Sequence, residues 1–223
     1  GVDAAPHRLE ALVVAHIAMP TLALFVVCHF YARSRTRSAR QMLERVFRDP
    51  LTGLWNRDKL DIEFEREARR SRRTGAAVTL LLLDLDDFKA LNDRHGHDAG
   101  DAVLVTFAGI LHARLREIDV ACRIGGEEFA IVLPHTDRSG GATLAEHLRE
   151  AVATTATTHG ARRIHATVSI GVAELGPDGS DWGSLYRAAD SRLYASKAAG
   201  RDTVVTGDPG AGDHVPGAAA SGR

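Results

Sequence analysis

RIGGEEFAIVL, residues 123–133, is the stretch on which the fold turns. Gly125 and Gly126 stand between two apolar runs, 120–124 and 129–133, which is the composition of a β-hairpin with a two-residue turn. A hairpin needs glycine. It does not need two adjacent acids, Glu127 and Glu128, beside a strand with the pattern of a buried one. Those acids call for a chemical reason.

Upstream, AVTLLLL (77–83) is apolar without alternation and reads as a central strand buried on both faces. It runs directly into Asp84, Asp86 and Asp87. Side chains alternate along a strand, so Asp84 and Asp86 are expected on one face. A carboxylate at the end of a central strand is costly unless it is paired or bound to a metal. With the hairpin beside 77–83, Asp84 and one glutamate converge at the same end of the sheet. Two carboxylates and a backbone carbonyl form an oxygen-rich site suited to Mg²⁺ or Mn²⁺. The plainer reading assigns Asp86 or Asp87 to capping the next helix and Glu128 to solvent. It is preferred for Asp87, and the metal is preferred for Asp84 and Glu127. The two glycines either clear room for a ligand or supply the positive φ angles of a tight turn, and both readings can hold together.

A third polar cluster is LNDRHGHDAGD, 91–101. His95 and His97 are two apart and share no helical face, so a zinc reading is weak. Asn92 and Asp101 suit a base edge: an amide donates to the guanine acceptors O6 and N7, and a carboxylate accepts from N1–H and N2–H. Lys89, Lys197 and Arg201 are candidates for phosphate, although each alone is usually a solvated surface charge. No GxxxxGK[ST] loop occurs, which excludes a P-loop nucleotide site.

The remaining pattern places helices at 59–73, 99–115, 140–155 and 182–199, the last closed by Gly200. Strands are expected at 164–173 and 203–205. The order α-β-α-β-β-α-β-α-β contains a βαββαβ core that resembles a ferredoxin-like antiparallel sheet with helices on one face, an α+β class.

The whole chain has 223 residues, 44% hydrophobic and 26% charged, which is ordinary globular composition. The net charge of −1 supplies no basic field for nucleic acid, so neither DNA nor RNA is expected as a partner. Cys28 and Cys122 match no zinc or redox spacing. The chain begins with Gly1 rather than Met, as a fragment or a processed product would.

After a short segment, 1–10, the run ALVVAHIAMPTLALFVVCHFYA (11–32) carries no Asp, Glu, Lys or Arg. As a helix it reaches roughly 30 Å, the thickness of a bilayer core. Arg33, Arg35, Arg37 and Arg40 follow, which places the C-terminal side in the cytoplasm and the helix in the inner membrane. Residues 33–48 form a helical linker with Ala39, Met42, Leu43 and Val46 on one face. It reads either as a short coiled-coil connector or as a helix at the domain edge. The folded domain is 49–206, and 207–223, rich in Gly, Ala and Pro, is expected to be disordered.

DPLTGLWNR (49–57), DLDDFKALNDRHGHDAGD (84–101), RIGGEEF (123–129), VSIGVA (168–173) and AADSRLYASKAAGR (188–201) occur in that order. Together they resemble the GGDEF family, the diguanylate cyclases, in its GGEEF form. The resemblance implies a palm-type fold with a central sheet surrounded by helices. It implies that two GTP condense into cyclic di-GMP and two pyrophosphates across a homodimer, with two divalent ions per active site. It assigns Asp84, the carbonyl of Leu85 and Glu127 to the metals, with Glu128 beside them as a further catalytic acid. It assigns Asn92 and Asp101 to guanine, and Lys89, Lys197 and Arg201 to the phosphates. Arg116 and Asp119 form RxxD, the family's inhibitory product site, whose plainer reading is a surface ion pair at a helix end. Some members supply a further arginine where this chain has His147, with Arg149 two residues on. The alternative to an active cyclase is a catalytically silent module that binds GTP or cyclic di-GMP and signals by contact. A third possibility is a membrane sensor in which this domain mainly drives dimerisation.

Overall fold

The computed structural model describes His29, Tyr31 and residues 46–207. Apart from those two residues, the expected membrane helix 11–32 lies outside the described residues, as do 1–10, most of the linker and the tail beyond 207. Among the described residues no helix is long and apolar enough to cross a membrane.

The chain from residue 57 runs α1 (Arg57–Thr74), β1 (Val78–Leu85), α2 (Phe88–His95), α3 (His97–Arg114), β2 (Val120–Arg123), β3 (Glu128–Pro134), α4 (Arg138–Thr154), β4 (Thr157–His159), β5 (Arg162–Ile164), β6 (Val168–Glu174), α5 (Trp182–Ala198) and β7 (Val204–Val205). The main sheet has the order β2-β3-β1-β6-β7, and β4 and β5 form a separate hairpin. The first four of these strands pair antiparallel, but β7 joins β6 in parallel, so the sheet is mixed rather than antiparallel throughout. The cause is α5, which separates β6 from β7 and returns the chain in the same direction, as a crossover must.

Every residue of β1 is buried, because both faces of the sheet are covered. On one face Leu81, Leu83, Phe129, Ile131 and Val172 pack against Val103, Leu104 and Phe107 of α3 and Leu148 of α4. On the other, Leu80, Leu82, Ala130 and Val132 pack against Leu60 and Phe64 of α1 and Leu185 and Ala189 of α5. The two helices internal to the βαββαβ core, α3 and α4, thus share one face as expected. The flanking helices cover the other.

Three boundaries depart from the sequence reading. A second helix, α2, precedes the expected one, and the two are divided at Gly96, whose φ of 89° interrupts helical backbone. The expected strand 164–173 splits into β5 and β6 because its two ends pair with different partners: Ile164 with Thr157 of β4 and Val168 with Leu85 of β1. The RIGGEEF hairpin has a four-residue connection, 124–127, rather than a two-residue turn.

Candidate active site

The fold brings the acids of two central strands to one end. In the β1–β3 register Asp84 stands opposite Glu128, and the Leu85 N–H donates to the Glu127 carbonyl at 3.2 Å. Directly opposed residues share a sheet face, so Asp84 and Glu128 are neighbours on the same side. Asp84 is buried, Glu127 half-buried and Glu128 exposed.

The connection that presents the glutamates is held from below. The Arg123 guanidinium donates twice to the Gly126 carbonyl, at 3.1 and 2.7 Å, and reaches Asp49 Oδ1 at 3.1 Å. Asp49 also accepts from the backbone N–H and hydroxyl of Thr52, at 2.8 and 2.6 Å. Burial would raise the Asp49 carboxyl, but the bonds from Thr52 and then Arg123 outweigh it and hold it below its ordinary value. Neither Gly125 nor Gly126 has a positive φ, which overturns the tight-turn reading of this pair. A Cβ on Gly125 would stand 2.4 Å from Glu128 Oε2, so a side chain there would displace the Glu128 carboxylate, which lies against the Gly125 backbone. A Cβ on Gly126 would meet nothing.

Asp84 is neutralised from α5: Lys197 Nζ lies 2.8 Å from its Oδ2. Burial nevertheless pushes the Asp84 carboxyl above its ordinary value, Lys197 opposing and the nearby Asp86 charge adding to the rise.

Asp86 does not belong with Asp84 as a site acid. Its Oδ1 accepts from the Ser169 hydroxyl at 2.6 Å, and its Oδ2 from the Thr167 hydroxyl at 2.7 Å and the Asp202 N–H at 3.0 Å. It is a structural clasp. Asp87 occupies the N-cap position of α2 but makes no side-chain cap bond. Its carboxylate instead faces Arg201 Nε at 3.2 Å.

Asn92 on α2 lies over Gly100 on α3, where an added Cβ would fall 1.9 Å from Asn92 Oδ1. That oxygen is buried and has no hydrogen-bond partner, so it is an acceptor available to a donor group. Asp101 and Lys89 are exposed on α3 and α2. Arg116 and Asp119 form a closed turn rather than an ion pair: the Arg116 N–H donates to Asp119 Oδ2 at 2.8 Å and the Asp119 N–H to the Arg116 carbonyl at 3.0 Å. Burial raises the Asp119 carboxyl, and its Oδ1 is buried without a partner. His147 is exposed on α4, whereas Arg149 is bound to Glu146 and Asp202.

Sequence reasoning missed Arg123, Asp49 and Ser169. They lie in the RIGGEEF, DPLTGLWNR and VSIGVA motifs respectively, so motif membership was their available signal.

A family model described as diguanylate cyclase, GGDEF domain, matches residues 46–203. The chain belongs to the GGDEF family. It is 39% identical over 165 residues to the response regulator PleD of Caulobacter vibrioides, covering 73% of this chain and 36% of PleD. It is 41% identical over 162 residues to the diguanylate cyclase DgcP of Pseudomonas aeruginosa, covering 72% of this chain and 24% of DgcP. The chain therefore spans little more than a third of the length of PleD and about a quarter of that of DgcP. Among solved structures, the coiled coil and GGDEF domain of DgcB from Caulobacter crescentus, in complex with c-di-GMP, superposes with a TM-score of 0.73 at 32% identity. That match covers 83% of this chain and 98% of the other.

Whether the site suits a divalent cation is decided by its donors. Among the described residues no three His, Cys, Asp or Glu side chains cluster as a metal site. Magnesium, however, is usually held by one or two carboxylates with the substrate phosphates completing its shell. Asp84 and Glu127, with the Leu85 carbonyl, are an all-oxygen set of that kind. The Lys197 ammonium on Asp84 already marks the place as one where positive charge is stabilised.

Proposed function

We propose that this GGDEF domain is a diguanylate cyclase acting as a homodimer. The observation that carries the reading is the β1–β3 register, which sets Asp84 opposite Glu128 and the Leu85 N–H against the Glu127 carbonyl in an uninterrupted RIGGEEF motif. Each subunit binds one GTP, and the 3′-hydroxyl of one attacks the α-phosphorus of the other. A P–O bond forms, pyrophosphate leaves, and the reciprocal step closes cyclic di-GMP. Two magnesium or manganese ions per site would supply charge neutralisation on the triphosphate and a more acidic 3′-hydroxyl. Asp84, the Leu85 carbonyl and Glu127 would hold them.

The remaining residues bind and orient. Asn92 and Asp101 take the guanine edge; the unpartnered Asn92 oxygen, an acceptor, suits the N1–H and N2–H donors and not O6 or N7. Lys89, Lys197 and Arg201 take phosphates. Lys197 pairs with the buried Asp84 carboxylate, and a cation held there would take over that pairing and leave the ammonium for phosphate. Arg116 and Asp119 hold cyclic di-GMP as a feedback inhibitor. The apolar run 11–32, followed by arginines, anchors the chain in the inner membrane with the catalytic domain in the cytoplasm.

Incubation of the full chain with GTP and Mg²⁺, with products resolved by chromatography, tests the reading. Cyclic di-GMP is expected from the wild type and none from Glu127→Ala. The competing reading, a silent module that binds GTP or cyclic di-GMP, draws on the Lys197–Asp84 contact, which already occupies the principal acid. It requires that neither protein forms product at concentrations that enforce dimers, while cyclic di-GMP still binds. Recovery of the full chain in the soluble fraction of lysed cells would refute the membrane anchor.

A further inference from the structure

Two backbone segments with left-handed residues meet behind the acidic strand end. Asp87 has φ 51° on one, and Arg201 and Asp202 have φ 67° and 45° on the other. Residues other than glycine persist in that region where their surroundings over-determine them. Here two bonds cross between the segments. The Asp202 N–H donates to Asp86 Oδ2 at 3.0 Å, and Arg201 Nε lies 3.2 Å from Asp87 Oδ1. Asp86 is itself fixed by Ser169 and Thr167. The Arg201 N–H reaches back to the Ser196 carbonyl at 3.2 Å, and the Thr203 hydroxyl donates to the Arg201 carbonyl at 2.7 Å.

The turn is also held from outside the sheet. Arg149 of α4 donates through Nη1 to Asp202 Oδ1 at 2.8 Å. Glu146 fixes the same guanidinium through Nε at 2.9 Å and also accepts from Nη2. The Arg149 side chain is only 16% exposed, so this is not a freely solvated surface pair. A continuous chain of bonds therefore runs from Glu146 through Arg149, Asp202 and Asp86 to Ser169. The turn it secures carries Arg201 and closes the helix that carries Lys197.

We propose that Arg149 and Asp202 are positioning residues for the nucleotide phosphates: the Arg149–Asp202–Asp86 chain locks the turn after α5 so that Lys197 and Arg201 are aimed at the strand end occupied by Asp84 and Asp87. The inference rests on the phosphate role given above to those two cations. It also assigns Arg149 to the turn and not to an inhibitory ligand, which leaves His147 as the exposed group of that pair on α4.

The test is calorimetric titration of the full chain, in Mg²⁺, with a GTP analogue carrying a methylene between the α- and β-phosphates, alongside steady-state kinetics and thermal melts. Arg149→Met and Asp202→Ala are each expected to weaken the analogue on the order of tenfold. The double variant is expected to be no weaker than either single one, because both cut the same chain. Asp202→Asn keeps an oxygen for Arg149 and is expected to recover most of the affinity. In turnover, KM for GTP rises more than kcat falls. Arg149→Lys, which keeps the charge but not the fork, provides a second variant where Arg149→Met does not fold, and it too is expected to weaken binding. Lowered melting temperatures with unchanged analogue affinity would overturn the proposal, as would additive losses in the double variant. Because the analogue reads binding and not turnover, a wild type that binds it yet makes no cyclic di-GMP refutes the cyclase reading and leaves the affinity series to decide this one.

Discussion

Lys197 Nζ lies 2.8 Å from Asp84 Oδ2, joining a lysine 37% exposed to a carboxylate only 8% exposed. The lysine is too well solvated to compensate fully for the burial of its partner, and the Asp84 carboxyl stands above its ordinary value of 3.8 for that reason. A carboxyl raised in the folded state contributes its full stability below the unfolded value. That contribution is lost as pH rises through the folded one, so at neutral pH the ionised Asp84 is a net cost. Asp84→Asn is therefore expected to raise the apparent melting temperature at pH 7 by about 2–4 °C while abolishing cyclic di-GMP formation. The gain shrinks near pH 4. Melts at the two pH values check it, and an Asp84→Asn protein less stable than wild type at pH 7 would contradict it.

Gly125 and Gly126 separate two demands that the motif makes together. At Gly125 an added methyl meets the Glu128 carboxylate, whereas at Gly126 it meets open space. Gly125→Ala is expected to displace Glu128 and lower kcat by about a hundredfold. Gly126→Ala is expected to leave the melting temperature unchanged and to raise KM for GTP, because its methyl occupies room kept for the nucleotide. Equal kinetic effects at the two positions would show that the carboxylate contact at Gly125 is not what matters.

The central strand was legible because AVTLLLL is apolar at every position but Thr79 and shows no polar alternation, which a sheet covered on both faces accommodates. The hairpin and the convergence of its acids with β1 followed from the same apolar pattern. Asp86 was not legible. In sequence it is indistinguishable from Asp84, and the three groups that claim it, on Thr167, Ser169 and Asp202, are more than eighty residues away. The parallel pairing of β7 was hidden for a related reason: two residues, Val204 and Val205, carry no periodicity that fixes direction. The division of α2 from α3 rests on one dihedral angle at Gly96, inside a polar stretch without a clear apolar period.

Gly100 and Asn92 make a testable pair for base selection. Ala at position 100 would place Cβ 1.9 Å from Asn92 Oδ1, and the amide must move. That oxygen is buried and unpartnered, a cost that a ligand donor relieves and that an amide displaced by the new methyl no longer exchanges for binding. Gly100→Ala is expected to weaken GTP binding at least tenfold, about 1.4 kcal/mol, and to narrow the preference for GTP over ATP. Competition titrations with both nucleotides read this directly, and an unchanged ratio would remove Asn92 from guanine recognition.

Asp178 and Arg192 carry the last expectation, which concerns stability. Their side chains are 6% and 2% exposed and are joined by two bonds, Arg192 Nη2 to Oδ1 at 2.7 Å and Nη1 to Oδ2 at 2.8 Å. Arg138 adds a third bond at 2.6 Å, and the Glu174 N–H a fourth at 2.7 Å. Burial would raise the Asp178 carboxyl, but Arg192 and the Glu174 N–H hold it below 3.8. A depressed carboxyl contributes stability that is full above the unfolded value and is lost as pH falls through the folded one. Removing one partner of a buried pair strands the other, so Asp178→Ala is expected to cost about 3–5 kcal/mol at pH 7. Asp178→Leu combined with Arg192→Met leaves no buried charge between them and is expected to recover much of that loss. Urea unfolding at pH 7 and pH 3 separates the cases: the deficit of Asp178→Ala narrows at the lower pH, and a deficit that did not change would assign it to lost packing instead of lost charge.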